Sequence, residues 1–151
     1  WSRRERDVIE AKIEAMRSGE IKLCKGSGEI IKYLSNRFYL AVVSDSQQKC
    51  VDYALEHFDL KPYFKIWYGR RSELRSLANR KPNPFYINRV LSELNTSRKS
   101  AILVDDSPVG ILAAKRADID SVFVYRGEKE VGDIYKPTFL VKDIEELGGI
   151  L

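Results

Sequence analysis

Five short runs rich in β-branched and aromatic residues, at 38–43, 64–68, 101–104, 122–125 and 138–141, alternate with stretches whose apolar residues recur every three to four positions. Runs this continuously apolar suit strands buried on both faces, and the helical stretches between them are long enough for the crossover that a parallel pair requires. The expected class is α/β, with a doubly wound, mainly parallel sheet. Val8, Ile9, Ile13 and Met16 predict an amphipathic helix over 2–18, and Ile30, Ile31 and Leu34 predict one over 28–36 with Ser27 as its N-cap. Further helical patterns fit 47–58, 84–94 and 108–117. Ligands of such folds sit beyond the carboxyl ends of the strands, so the polar residues after each strand are the ones to inspect.

Composition narrows the classes. At 151 residues, with 44% apolar and 32% charged side chains, the chain is long enough for one well-buried core and is neither a disordered polyampholyte nor a membrane span. Cys24 and Cys50 match no zinc spacing with the single His57, which predicts two free thiols and a reducing, cytoplasmic setting. Residues 1–20 carry five basic and five acidic side chains and no apolar core, the pattern of neither a signal nor a transit peptide. The net charge of +4 is regional, because residues 61–99 hold ten Lys and Arg against Glu73 and Glu93. Arg70, Arg71, Arg75, Arg80 and Lys81 could attract an anionic small molecule or a nucleic-acid backbone, or could simply be a solvated basic loop. No membrane partner is expected, and the sequence is silent on oligomeric state.

Three places at strand ends carry candidate chemistry. Ser44, Asp45 and Ser46 follow the first strand and lead into a helix, where a hydroxyl can cap the helix or meet an anion. Asp105 and Asp106 follow the third, before Ser107-Pro108 opens a helix. The cap needs only one side chain, and two adjacent carboxylates repel unless they share a cation such as Mg²⁺. Lys81 stands in Arg80-Lys81-Pro82-Asn83-Pro84, where two prolines restrict the backbone around an ammonium suited to positioning phosphate. Neither GxGxxG, nor a P-loop, nor GxSxG is present.

In order along the chain, Leu40-Ala41-Val42-Val43-Ser44, then Lys81-Pro82-Asn83-Pro84, then the run from Leu103 through Asp105-Asp106-Ser107-Pro108-Val109-Gly110 to Ala113-Ala114-Lys115 resemble motifs two, three and four of the haloacid dehalogenase (HAD) superfamily. The third stretch is similar to the phosphoglycolate phosphatase and β-phosphoglucomutase branch. The resemblance implies that residues 1–20 are the last part of a helical cap and 21–151 a HAD-like α/β core. It further implies that Ser44 hydrogen-bonds the transferring phosphoryl group, that Lys81 neutralises its charge, and that Asp105 and Asp106 hold Mg²⁺, with Asp106 the firmer of the two. These roles suit phosphoryl transfer, which asks mainly for positioning and for cations facing the phosphoryl oxygens.

Asp45, Arg80, Phe85 and Asp118 stand where the family often has Asn, Gly, Asp and Gly, and the loop of residues 69–81 is longer than usual. The family's motif one, a strand followed by Asp-x-Asp that supplies the nucleophile and the general acid/base, has no counterpart here. In the family that strand lies mid-sheet, between those ending at Ser44 and Asp105. The expectation is therefore that residue 1 is not the native start, that a segment carrying most of the cap and the nucleophile lies upstream, and that these 151 residues alone are inactive. The expected function is Mg²⁺-dependent hydrolysis of a small phosphorylated metabolite through an aspartyl-phosphate. The alternatives are a phosphomutase of the same fold, or a non-catalytic domain binding phosphate or nucleic acid through residues 70–81. A receiver domain of signalling proteins uses similar groups, but in the reverse order along the chain.

Overall fold

A computed structural model describes residues 2–127 and 132–151 and divides the chain into two compact units, Trp1–Ala78 and Asn79–Leu151. In the first unit, helix α1 (Ser2–Arg17) and helix α2 (Ser27–Ser35) precede strand β1 (Leu40–Gln47), helix α3 (Gln48–His57) and strand β2 (Phe64–Arg70). β1 and β2 pair in parallel, with Val42 opposite Trp67 and Val43 opposite Tyr68. α3, the crossover between them, presses Val51 and Leu55 onto a core with Leu60, flanked by Val42, Phe64 and Trp67. The period of 3.6 puts Val51 and Leu55 on one face, and burying such a pair contributes roughly 3–5 kcal/mol.

The second unit contains helix α4 (Phe85–Glu93), strand β3 (Ile102–Asp105), helix α5 (Pro108–Arg116), strand β4 (Asp120–Val124) and strand β5 (Phe139–Val141). These three strands form a parallel sheet in the order β3-β4-β5. α5 packs on β3 and β4. Its Ala113 and Ala114 are fully buried, as is Val122 of β4, because methyl-sized side chains let a helix lie close against a sheet. Every ladder among the described residues is parallel, so the α/β class with helical crossovers stands as expected.

Several boundaries differ from expectation for identifiable reasons. Ser27 does not cap α2: it is the first helical residue and is buried, while Gly26 before it turns the chain at φ 75°, a conformation open to glycine. β1 runs on past Val43 through Ser44, Asp45 and Ser46 to Gln47, so those residues belong to the end of the strand. The register to β2 breaks between Val43 and Gln47, which frees the segment from regular pairing without ending it. Asp118, standing where a glycine was expected, takes φ 56° after α5, and Asp is among the residues that tolerate this region. Asp118-Ile119-Asp120 has the Asp-x-Asp spacing but leads into β4. By the parallel register Asp120 lies beside Ile102, at the opposite end of the ladder from Asp105. It therefore does not supply motif one.

α1 packs against α3 and is tied to the end of β2 by a buried ion pair: Arg70 Nη2 donates to Glu5 Oε1 at 2.7 Å, and both side chains are less than a tenth exposed. Each charge makes the burial of the other tolerable. No helix among the described residues is long and apolar enough to cross a membrane.

Candidate active site

The carboxyl end of β3 gathers most of the expected groups. Asp105, the last residue of that strand, accepts from Lys81 Nζ at 2.6 Å through Oδ2 and from the Ser107 N–H at 2.9 Å through Oδ1. The Lys81 and Asp105 side chains are 12% and 8% exposed, so the pair is largely withdrawn from water. Lys81 reaches it from the turn before α4, whose Lys81-Pro82 peptide is cis and whose Asn83 Oδ1 accepts from the Phe85 N–H as the helix begins. Ser107 caps α5 as the sequence predicts, with its Oγ accepting from the Gly110 N–H at 3.2 Å and Pro108 in the first turn. The neighbouring Asp106 is exposed.

Gly110 has a role that the sequence motif did not disclose. A Cβ built on it would run into the Cγ and both carboxyl oxygens of Asp105. The carboxylate lies against the bare Cα of the first turn of α5, and that close approach is what holds it facing Lys81. Gly110→Ala is expected to destabilise the fold by about 1–3 kcal/mol, read from the urea midpoint. The sign is diagnostic, since in a helix free of this contact the same change would stabilise by about 1 kcal/mol.

Ser44 lies in the first unit, half-buried near the end of β1, where its Oγ accepts from the Ser46 N–H at 3.1 Å. It does not cap α3: the N-cap is Gln47, and no side-chain cap bond is made there. Its hydroxyl hydrogen remains a donor, as contact with a phosphoryl oxygen would need.

The basic stretch is not a continuous cationic strip. Arg70 is buried against Glu5, Arg75 pairs with Glu73, which holds the Glu73 carboxyl below its usual range, and Lys81 faces Asp105. Arg71 and Arg80 are exposed. A cationic surface built on all five residues is thus replaced by three ion pairs, because the fold supplies each with a carboxylate, two of them distant in sequence and one two residues away.

Cys24 and Cys50 are both free thiols, one exposed and one buried. Burial pushes the Cys50 thiol up, with Lys12 pulling the other way and Glu5 adding to the rise, so it stays protonated and is a poor nucleophile. His57 ends α3, stacked on Tyr53 at 5.4 Å and edge-on to Phe58, an aromatic packing role.

No group of three or more His, Cys, Asp or Glu able to hold a metal occurs among the described residues. Mg²⁺ asks for less: one or two carboxylates, with substrate phosphate and water completing its shell. Adjacent Asp105 and Asp106 at a strand end, one braced and one exposed, fit that modest donor set.

Comparison with known proteins gives these features a family context. Residues 3–124 match the family model described as haloacid dehalogenase-like hydrolase. The chain is 29% identical over 112 residues to a phosphoglycolate phosphatase of Colwellia psychrerythraea, an alignment covering 73% of this chain and 48% of that protein. It is 26% identical over 127 residues to the pyrophosphatase PpaX of Halalkalibacterium halodurans, covering 82% and 57% respectively. The chain thus spans about half the length of the curated relatives it matches. Among solved structures, YfnB of Bacillus subtilis, described as bound to magnesium, superimposes with a TM-score of 0.74 at 23% identity. That match covers 86% of this chain and 55% of the other and shows likeness of fold alone.

Proposed function

Because the chain belongs to the haloacid dehalogenase-like hydrolase family, we propose that it forms part of a Mg²⁺-dependent phosphohydrolase acting on a small phosphorylated metabolite. The observation that carries this reading is the withdrawn Lys81–Asp105 pair, 2.6 Å across, beside the exposed Asp106 at the end of β3. An ammonium fixed by a carboxylate, itself fixed by the Ser107 N–H and the bare Gly110 Cα, is pre-organised to meet negative charge without rearranging. Lys81 neutralises phosphoryl oxygens and Asp105 and Asp106 hold the metal, while Ser44, by its place in motif two, has a hydroxyl hydrogen to donate to a phosphoryl oxygen. When bound, Mg²⁺ supplies Lewis-acid stabilisation of the phosphoryl charge.

The attacking carboxylate is an aspartate of an Asp-x-Asp segment outside these 151 residues. Its oxygen forms a bond to phosphorus as the ester P–O bond breaks, and a second aspartate gives the leaving oxygen its proton. Water then cleaves the acyl phosphate to inorganic phosphate and the free carboxylate. Two features support an external segment: the alignments cover only about half of the relatives' length, and β1 and β3 each pair with a strand on one side only among the described residues. α1 is, on this reading, the last part of a helical cap.

The test is phosphate release from a phosphomonoester by the full-length protein. Turnover is expected with Mg²⁺, is lost on chelation with EDTA, and returns when Mg²⁺ is restored. Turnover indifferent to chelation would overturn the metal role, and absence of turnover with a panel of phosphate esters would overturn the hydrolase.

A further inference from the structure

Near the end of β1, a lysine occupies a position that no motif anticipates. Lys12 projects from α1, half-buried, and its Nζ donates to Ser46 Oγ at 3.4 Å and to Gln47 Oε1 at 3.3 Å. Both acceptors are neutral, and both bonds are long for a cationic donor, whose contacts to anions run about 2.7–2.9 Å. The acid nearest in kind, Glu5 of the same helix, acts electrostatically on Cys50 together with Lys12 but is already committed to Arg70 at 2.7 Å. Glu5 and Arg70 thus pair with each other, while the positive charge of Lys12 meets two neutral oxygens.

That charge is linked to the chemistry through a short chain of bonds. Lys12 donates to the Ser46 hydroxyl, and the N–H of Ser46 donates to Ser44 Oγ. The ammonium thus stands two residues along the strand from the hydroxyl assigned to the transferring phosphoryl group. An ammonium has three N–H donors, and exchanging a long bond to a neutral acceptor for one to an anion is favourable. Gln47 cannot provide that anion, and it is 5% exposed, so it is fixed in place.

We propose that Lys12 is a specificity residue that takes a second anionic group, a carboxylate or a phosphate, on the leaving portion of the phosphorylated substrate. The inference rests on the phosphohydrolase reading. Its consequence is that the protein prefers esters and anhydrides whose leaving group is itself charged over phosphate esters of neutral alcohols.

The experiment compares kcat/KM of the full-length protein for three probes: phosphoglycolate, inorganic pyrophosphate and ethyl phosphate, the last sharing the two-carbon chain of the first but lacking its carboxylate. Lys12→Met is expected to lower the ratio of phosphoglycolate or pyrophosphate to ethyl phosphate by about tenfold, and Lys12→Arg to retain most of it. The ratio is taken on a single sample, so partial unfolding of a variant scales both rates and cancels. A fall confined to phosphoglycolate identifies a carboxylate as the group read, and one confined to pyrophosphate identifies a phosphate; each supports the proposal. A ratio within twofold of the unaltered protein in both arms overturns it, leaving Lys12 as a tie between α1 and β1. Failure of the unaltered protein to hydrolyse all three would instead strike the phosphohydrolase reading.

Discussion

Lys81→Met is expected to cut turnover by roughly 10²–10³-fold and to cost about 3–5 kcal/mol of stability, two losses with one origin. In the native chain Lys81 Nζ lies 2.6 Å from Asp105 Oδ2, with the carboxylate only 8% exposed. Methionine fills similar space but supplies no charge. Asp105 would then keep the Ser107 N–H as its remaining donor among those described at this site, too little for a carboxylate withdrawn from water. The double variant Lys81→Met/Asp105→Asn separates the two losses. With both charges gone no buried ion is left uncompensated, so the thermal midpoint should recover a large part of the deficit, while turnover stays low because the phosphoryl group has lost its cation. Full additivity of the two substitutions in stability would mean that the pair is not the coupled unit described here.

Asp106→Asn should produce the opposite profile, with stability within about 0.5 kcal/mol of the parent and turnover lower by roughly 10²–10³-fold. Asp106 is exposed, so its charge contributes little to folding. Asparagine preserves shape and one acceptor oxygen but removes the negative charge that a hard cation seeks. The Mg²⁺ concentration for half-maximal activity should therefore rise by tenfold or more, with urea midpoints barely changed. Equal turnover and equal Mg²⁺ dependence in parent and variant would remove Asp106 from the metal site. The contrast between neighbouring acids is the informative result: Asp105 is a braced residue whose loss is felt in both folding and chemistry, Asp106 one felt in chemistry alone.

Much of this was legible in sequence because it depends on local chemistry. The alternation of apolar runs with helical periods defined the α/β class, and Ser107-Pro108 marked the start of α5, since a hydroxyl cap and a proline at N1 act within one turn. The resemblance of three motifs in order led to the family that residues 3–124 match. The end of β1 was misjudged for a physical reason. Polar Ser44, Asp45 and Ser46 read as residues between the strand and the next helix, whereas an extended backbone leaving regular pairing at a register break needs no apolar side chains.

What the sequence determined by itself was therefore the class of fold, the family, and the residue types at the strand ends, all of them properties of neighbours along the chain. Tertiary structure alone decided the partners: that Arg70 is neutralised by Glu5, sixty-five residues away, that Lys81 grips Asp105 across twenty-four, and that Gly110 must lack a Cβ because a carboxylate occupies the space. A charge or a glycine looks the same in any sequence. Its effect depends on the distance to the group it meets and on how far water is excluded between them, and only the folded chain sets those two quantities.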